Sequence, residues 1–290
     1  MQCKIGLPFW YGTAKTISDL DALFKFLKNN DIYFLELSID YPWPYRDKDL
    51  LDKVFKTAQK HGLELGIHAP WRDIFLASTY SKIRASSLET VIESLIGIEY
   101  AQVSYIVLHV TTMQKQILEG VKKEAIEAAR ESIKRIKDIV KGISGEPIDL
   151  CIENLSVGLS SSAQDIQEII TDLDACLAFD IAHAASLYSR YYRSYYNSFY
   201  EYLEDYVNMV LDIKTSIIHF HDIRLSDLKE HIVPGHGDLD YKRVLKIVRK
   251  LKPSYILVEA FNDRNGKHLT PIQTLNECRE FITWTKIYLS

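Results

Sequence analysis

The sequence predicts a single α/β domain spanning residues 1–290, folded as a (β/α)8 TIM barrel. Three observations carry the prediction. Eight short apolar runs of strand type recur along the chain, longer amphipathic segments separate them, and no linker rich in Pro, Gly or Ser interrupts the alternation. The runs are too apolar to leave one face in water, so the strands must form a parallel sheet covered by helices, and eight such units close on themselves.

In chain order the strands are expected at Lys4–Leu7, Tyr33–Ser38, Glu64–His68, Tyr105–His109, Asp149–Glu153, Cys176–Asp180, Ser216–His219 and Tyr255–Glu259. Helical signals lie between them. Ser18 with Asp21 resembles a capping box before LFKFLKNN, apolar residues three and four apart mark Ser81–Gln102, and Thr270-Pro271 reads as an N-cap followed by a first-turn proline. His61-Gly62 and Lys141-Gly142 read as helix stops. The segment Ser186–Tyr206 holds eight of the eighteen tyrosines. It reads either as a helix packed on the barrel or as a lid over a pocket after the sixth strand.

Composition excludes several classes. At 290 residues, 47% hydrophobic and 26% charged, the chain can bury a large core. A formal charge of -4 offers no general attraction to a polyanion, and there is no run of eighteen apolar residues to span a membrane, nor a signal-like N-terminus. Cys3, Cys151, Cys176 and Cys278 form no C-x-x-C pair, and two of them fall inside strand-like runs as small buried hydrophobes. A reduced, cytoplasmic protein is expected.

The chemistry gathers at the strand ends. The third strand ends in His68, the fourth in His109, the fifth in Glu153, the sixth in Asp180 with His183 three residues on, the seventh in His219 and the eighth in Glu259. A lone histidine or glutamate in such a place is usually a hydrogen-bonding residue. Six in succession at one level of a barrel would be costly to bury without a cation among them. The stretch His219–Tyr241 adds to this, because it carries four of the nine histidines between His219 and His236 together with Asp222, Asp227, Glu230 and Asp238. Imidazole and carboxylate on a loop at a strand end is the composition of a metal site.

These residues resemble the xylose-isomerase-like barrel superfamily, which includes sugar and sugar-phosphate isomerases and epimerases together with endonuclease IV. The resemblance rests on IHAP…LAS at Ile67–Ser78, IVLHV at Ile106–Val110, CIENLS at Cys151–Ser156, FDIAHA at Phe179–Ala184, HFHD at His219–Asp222, HIVPGHGDLDY at His231–Tyr241 and LVEAF at Leu257–Phe261. It implies one tightly held divalent cation on Glu153, Asp180, His219 and Glu259. His68 and His109 match ligands for a second ion bridged by Glu153. His183 and His231 match two ligands of a third, whose remaining aspartate is replaced here by Lys229, leaving Asp227 or Glu230 as substitutes. His236, between two glycines, stands where endonuclease IV has glutamate.

Two activities follow from the resemblance. The first is isomerisation or epimerisation of a small sugar or sugar phosphate. Glu153 and Glu259 would exchange a proton as base and acid, the cation would stabilise an enediolate, and His183 and Arg224 would orient hydroxyls or a phosphate. Mn²⁺ or Mg²⁺ suits the oxygen-rich set, and Zn²⁺ suits it better once His68 and His109 join. The second is a zinc phosphodiesterase acting on abasic-site DNA. Lys229, the acidic balance and the absence of basic recognition loops oppose it. Trp43, Tyr45, Trp71 and Arg72 could contact a flipped nucleotide or wall a sugar pocket, and the acidic surroundings favour the sugar.

Overall fold

The computed structural model describes residues 3–43, 47–96, 98, 103–114, 117–145 and 147–289. Eight parallel strands close into a barrel: β1 (Lys4–Trp10), β2 (Phe34–Ser38), β3 (Glu64–His68), β4 (Val103–Leu108), β5 (Asp149–Glu153), β6 (Cys176–Asp180), β7 (Thr215–Phe220) and, after the hairpin β8 (Asp222–Arg224) and β9 (Lys229–Ile232), β10 (Tyr255–Val258). β1 pairs with both β2 and β10, which completes the ring. The expected strands are present. β1 runs three residues further than the apolar pattern suggested, β4 is shifted so that His109 follows the strand, and the β8–β9 hairpin had no sequence prediction.

Side-chain alternation along each strand separates two cores. Leu150 and Ile152 of β5 join the large cluster between sheet and helices, whereas Cys151 joins Phe34, Tyr105, Val107, Cys176, Ala178, Ile217 and Leu257 inside the barrel. Space inside is shared between large and absent side chains: a Cβ on Gly6 would overlap the ring of Phe34, and one on Gly66 the ring of Tyr105. Tyr105 can therefore reach across the interior from β4, with its hydroxyl directed at the polar layer above.

The cysteine expectation is corrected here. Cys151 and Cys176 are register partners on β5 and β6, and their sulfurs are bonded, while Cys3 and Cys278 are free and buried. Neighbouring inward positions on paired strands bring the two residues together, a contact that sequence spacing could not show.

Helix boundaries follow local chemistry. Asp19, not Ser18, caps the helix Leu20–Asn29 by accepting the Ala22 N–H. The N-cap expected at Thr270 is present and forms a capping box with Gln273 before Pro271–Glu277. Gly142 lies within the helix Glu119–Ser144, which ends instead at Gly145 in the left-handed region (φ 69°). Ser81 does open a helix, which runs to Ile96; most of the remainder of the expected segment lies outside the described residues. The tyrosine-rich stretch packs on itself and on the barrel: Tyr188, Tyr202 and Tyr206 are buried, and Tyr192 stacks on Tyr202 at 5.1 Å. It does not wall the cavity at the carboxyl ends of the strands. Among the described residues no helix is long and apolar enough to cross a membrane.

Candidate metal and substrate site

A parallel barrel puts the carboxyl ends of all its strands at one end. A cavity of about 590 Å³ opens there, with Glu36, His68, His109, Glu153, His183, His231 and Glu259 in its wall. Asp180, His219 and His221 lie fully buried behind them.

Glu153, the last residue of β5, is the centre of the cluster. Its Oε2 lies 3.2 Å from Nε2 of His68, 3.0 Å from Nε2 of His109 and 3.7 Å from Nδ1 of His219, and its Oε1 is 3.3 Å from Nδ1 of His183. Asp180 caps the helix Ile181–Leu187 by accepting the His183 N–H at 2.7 Å. Asn154, the residue after β5, clamps its backbone, donating to the Asp180 carbonyl at 2.9 Å and accepting its N–H at 2.7 Å.

The outer hydrogen bonds of the imidazoles decide which nitrogen faces inward. Nδ1 of His68 meets the Ala69 carbonyl at 3.0 Å, Nδ1 of His183 the Asn154 carbonyl at 2.9 Å, and Nδ1 of His231 the Glu259 carbonyl at 3.1 Å. A carbonyl can only accept, so each Nδ1 carries a proton and, in the neutral ring, each Nε2 presents a lone pair. His219 is turned the other way. Its Nε2 meets Glu36 Oε2 at 3.1 Å, and its fully buried Nδ1 has no hydrogen-bond partner, although Glu259 Oε2 lies 3.2 Å from it.

A buried lone pair beside two carboxylates is repulsive until a cation or a proton lies between them. The orphaned Nδ1 of His219, facing Glu259 and Glu153, therefore fits a divalent ion, and the donor set Glu153, Asp180, His219 and Glu259 is chemically suited to one. His68, His109 and Glu153 converge as a second trio of potential ligands.

His221, which the sequence reading passed over, also lies among these groups, but its tautomer excludes it as a ligand. Nδ1 accepts the His231 N–H at 2.8 Å, so the proton of the neutral ring is on Nε2, which donates to Asp180 Oδ2 at 3.1 Å. His221 thus holds Asp180 in place. The signal was available, since His221 shares the parity of His219 in the HFHD motif.

Without a cation, protons carry the compensating charge. Burial disfavours charged His68, yet the adjoining Glu153, with Glu36 and Glu259 nearby, lifts its pKa to about 9. Burial likewise opposes ionisation of Glu259, but His219 and His231 hold it down to about 2. Burial, reinforced by the ring of His221 stacked at 4.2 Å, pulls His231 down to about 4.

The remaining expected site residues divide sharply. Trp71 lines the cavity 5.7 Å from the His109 ring, with the Arg72 guanidinium 4.6 Å over its indole. Trp43 is fully buried edge-on to Tyr11 and lies behind the wall. Arg224 does not reach the cavity, because the β8–β9 hairpin turns it outward onto Asp227 at 2.6 Å. His236 points to Glu277 at 3.6 Å, also outside. Asp227 is taken up by Arg224, whereas Glu230 does line the cavity, 4.0 Å from Nε2 of His183. Tyr45 lies outside the described residues. Trp10, Tyr11, Tyr41 and Phe261 complete an aromatic wall that the sequence reading did not identify.

With this geometry in place, comparison with known proteins is decisive for the family. The profile of the xylose isomerase-like TIM barrel matches residues 24–283. The chain belongs to that family. Among solved structures, this xylose isomerase-like barrel is similar to a D-tagatose 3-epimerase-like protein at 17% identity and a TM-score of 0.67, covering 98% of each chain. It is similar to D-psicose 3-epimerase from Clostridium cellulolyticum H10 (14% identity, TM-score 0.67, 99% of each chain). The 3-keto-D-glucoside 4-epimerase of E. coli also matches (13% identity, TM-score 0.64), over 99% of this chain and all of that one. At such identities the likeness establishes the fold. No curated protein matches the chain.

Proposed function

We propose that this barrel is a divalent-metal-dependent epimerase or isomerase of a small, unphosphorylated sugar. The observation that carries the reading is the pair of carboxylates, Glu153 and Glu259, both facing the partnerless Nδ1 of His219 at the floor of an aromatic-walled cavity. Bound there, a cation would supply Lewis-acid polarisation of a substrate carbonyl and its neighbouring hydroxyl. Glu153 and Glu259 arrive from strands on different sides of the barrel, so one can take a proton from carbon while the other returns it.

Charge argues for a neutral substrate. Among the described residues five carboxyl groups line the cavity (Glu36, Asp40, Glu153, Glu230 and Glu259) against the single arginine Arg72, which is itself paired with Asp40. A phosphate would meet no unpaired lysine or arginine there. The apolar faces of a sugar ring suit Trp10, Tyr11 and Trp71, and its hydroxyls suit His183, His231 and Glu230. The sugar epimerases of similar fold are consistent with this reading.

The test is to incubate the protein with Mn²⁺, Mg²⁺ or Zn²⁺ and a panel of free ketoses and aldoses in D₂O, following deuterium at the carbon beside the carbonyl by NMR. Exchange into the free sugar, slowed by at least about a hundredfold in Glu259→Gln, is expected. A second reading, metal-dependent phosphodiester hydrolysis, is favoured by one observation, the intact trio of His68, His109 and Glu153. Held by that trio, a second ion would help to activate water and to stabilise the leaving oxygen of such a reaction. Chelator-sensitive incision of abasic duplex DNA, with no sugar exchange, would replace the first reading with the second.

A further inference from the structure

We propose that Glu36 is a positioning residue for metal binding: through one carboxylate oxygen it holds the His219 ring in the orientation and tautomer that present Nδ1 to the cation. The inference rests on the reading that the cluster binds a divalent ion, and it concerns a residue that no strand-end pattern marks.

Glu36 sits in the middle of β2, two residues after Phe34, and shares its inward face. It is 2% exposed. Its Oε2 receives two contacts, Nε2 of His219 at 3.1 Å and the hydroxyl of Tyr105 at 2.9 Å. Tyr105 comes from β4, and its ring occupies the space that Gly66 leaves open on β3. Four strands thus contribute to one interaction: β2 the acceptor, β3 the vacancy, β4 the phenol and β7 the imidazole.

The chemistry of this arrangement is directional. With its Nε2 proton given to Glu36, neutral His219 keeps a lone pair on Nδ1, the fully buried nitrogen without a partner. A carboxyl group behind an imidazole fixes the ring, selects the tautomer and makes the opposite nitrogen a better donor to a metal. Tyr105 serves a separate purpose. A buried carboxylate with one donor is poorly compensated, and the phenol supplies the second. A residue needed only to fill the barrel would have no reason to be polar, since the interior cluster on the same inward face as Glu36, with Phe34, Leu257 and Ile217, is apolar.

The experiment is calorimetric titration of Mn²⁺ alone into the metal-free full-length protein, with thermal unfolding of the same metal-free samples as control. Glu36→Gln keeps a neutral acceptor, and Glu36→Leu removes it. Because the leucine variant strands the Tyr105 hydroxyl, the double variant E36L/Y105F removes both partners and preserves an apolar fit. E36Q should weaken Mn²⁺ binding about tenfold and E36L/Y105F about a hundredfold, both variants showing a cooperative metal-free unfolding transition. In imidazole ¹⁵N spectra of the Mn²⁺-free protein, the His219 Nε2–H signature should be lost in E36L/Y105F. A folded E36L/Y105F that binds Mn²⁺ as tightly as wild type overturns the inference while leaving the metal reading intact. Failure of the wild-type protein itself to bind Mn²⁺, Mg²⁺ or Zn²⁺ overturns the metal reading, and this inference with it.

Discussion

Replacing Asp222 by alanine should cost this protein a large share of its stability, and the structure indicates how much. Asp222 is fully buried beneath the loop that follows β9, where its carboxylate accepts four backbone N–H groups. Ile223 and Leu239 donate to Oδ1 at 2.9 and 3.1 Å, and Gly235 and Gly237 donate to Oδ2 at 2.9 Å each. A Cβ on Gly237 would overlap the carboxylate, so the glycine and the aspartate occupy one fitted space. In Asp222→Ala the amides of Gly235 and Gly237 can turn to water, because those residues are not buried. Those of Leu239 and Ile223 cannot, since both residues are buried. Two stranded donors at about 1–3 kcal/mol each give a loss of about 2–6 kcal/mol, against a total stability on the order of 5–15 kcal/mol for a domain. Asp222→Asn, with its one oxygen in the Oδ1 position, keeps the acceptor of both buried donors and should lose less than Asp222→Ala. Urea unfolding at neutral pH measures both. An Asp222→Ala midpoint within error of wild type would refute the view that this carboxylate organises the loop that follows β9.

Two further outcomes concern the far end of the barrel. Glu64 of β3 pairs with Lys4 and accepts from the Tyr255 hydroxyl at 3.0 Å; burial opposes its charge, but these partners hold its pKa below the ordinary 4.5. The contribution is therefore complete above that value and lost as pH falls through the lowered folded pKa. Glu64→Gln should be less stable than wild type at pH 7 by under about 1 kcal/mol, with the gap closing in acid, and a gap that persists in strong acid would refute the assignment. Thiol titration of the unfolded, unreduced protein should find only Cys3 and Cys278. Cys176→Ser should lose about 3.5 kcal/mol by the chain-entropy estimate for a separation of 25 residues, and four reactive thiols would contradict the pairing.

Periodicity and order were enough to reach the barrel. Strands too apolar for one-sided burial require helices on the outside, and parallel connections put every carboxyl end on one face, so His68, Glu153, Asp180 and His219 could be recognised as neighbours from their positions at strand ends. That reasoning weakens further along the connections between strands. Arg224 and His236 lie in the same polar stretch as His219, yet the β8–β9 hairpin directs the first to Asp227 and the turn at Gly235 leaves the second beside Glu277. Trp43 was expected to wall a sugar pocket with its aromatic face, but burial against Tyr11 takes it behind the wall.

What the sequence determined by itself was which residues end the strands, because strand and helix periods are properties of contiguous residues. What only the tertiary structure decided was everything set by register and by the second partner of each group. Cys151 faces Cys176 because β5 and β6 pair at that step of the ladder. Glu36 reaches His219 across 183 positions of chain because both point inward at the same level. His221 is a hydrogen-bond donor rather than a ligand because the His231 backbone occupies its other nitrogen. Such contacts depend on how strands align around a closed ring and on which lone pair a neighbour has already taken, and neither is encoded in the spacing of residues along the chain.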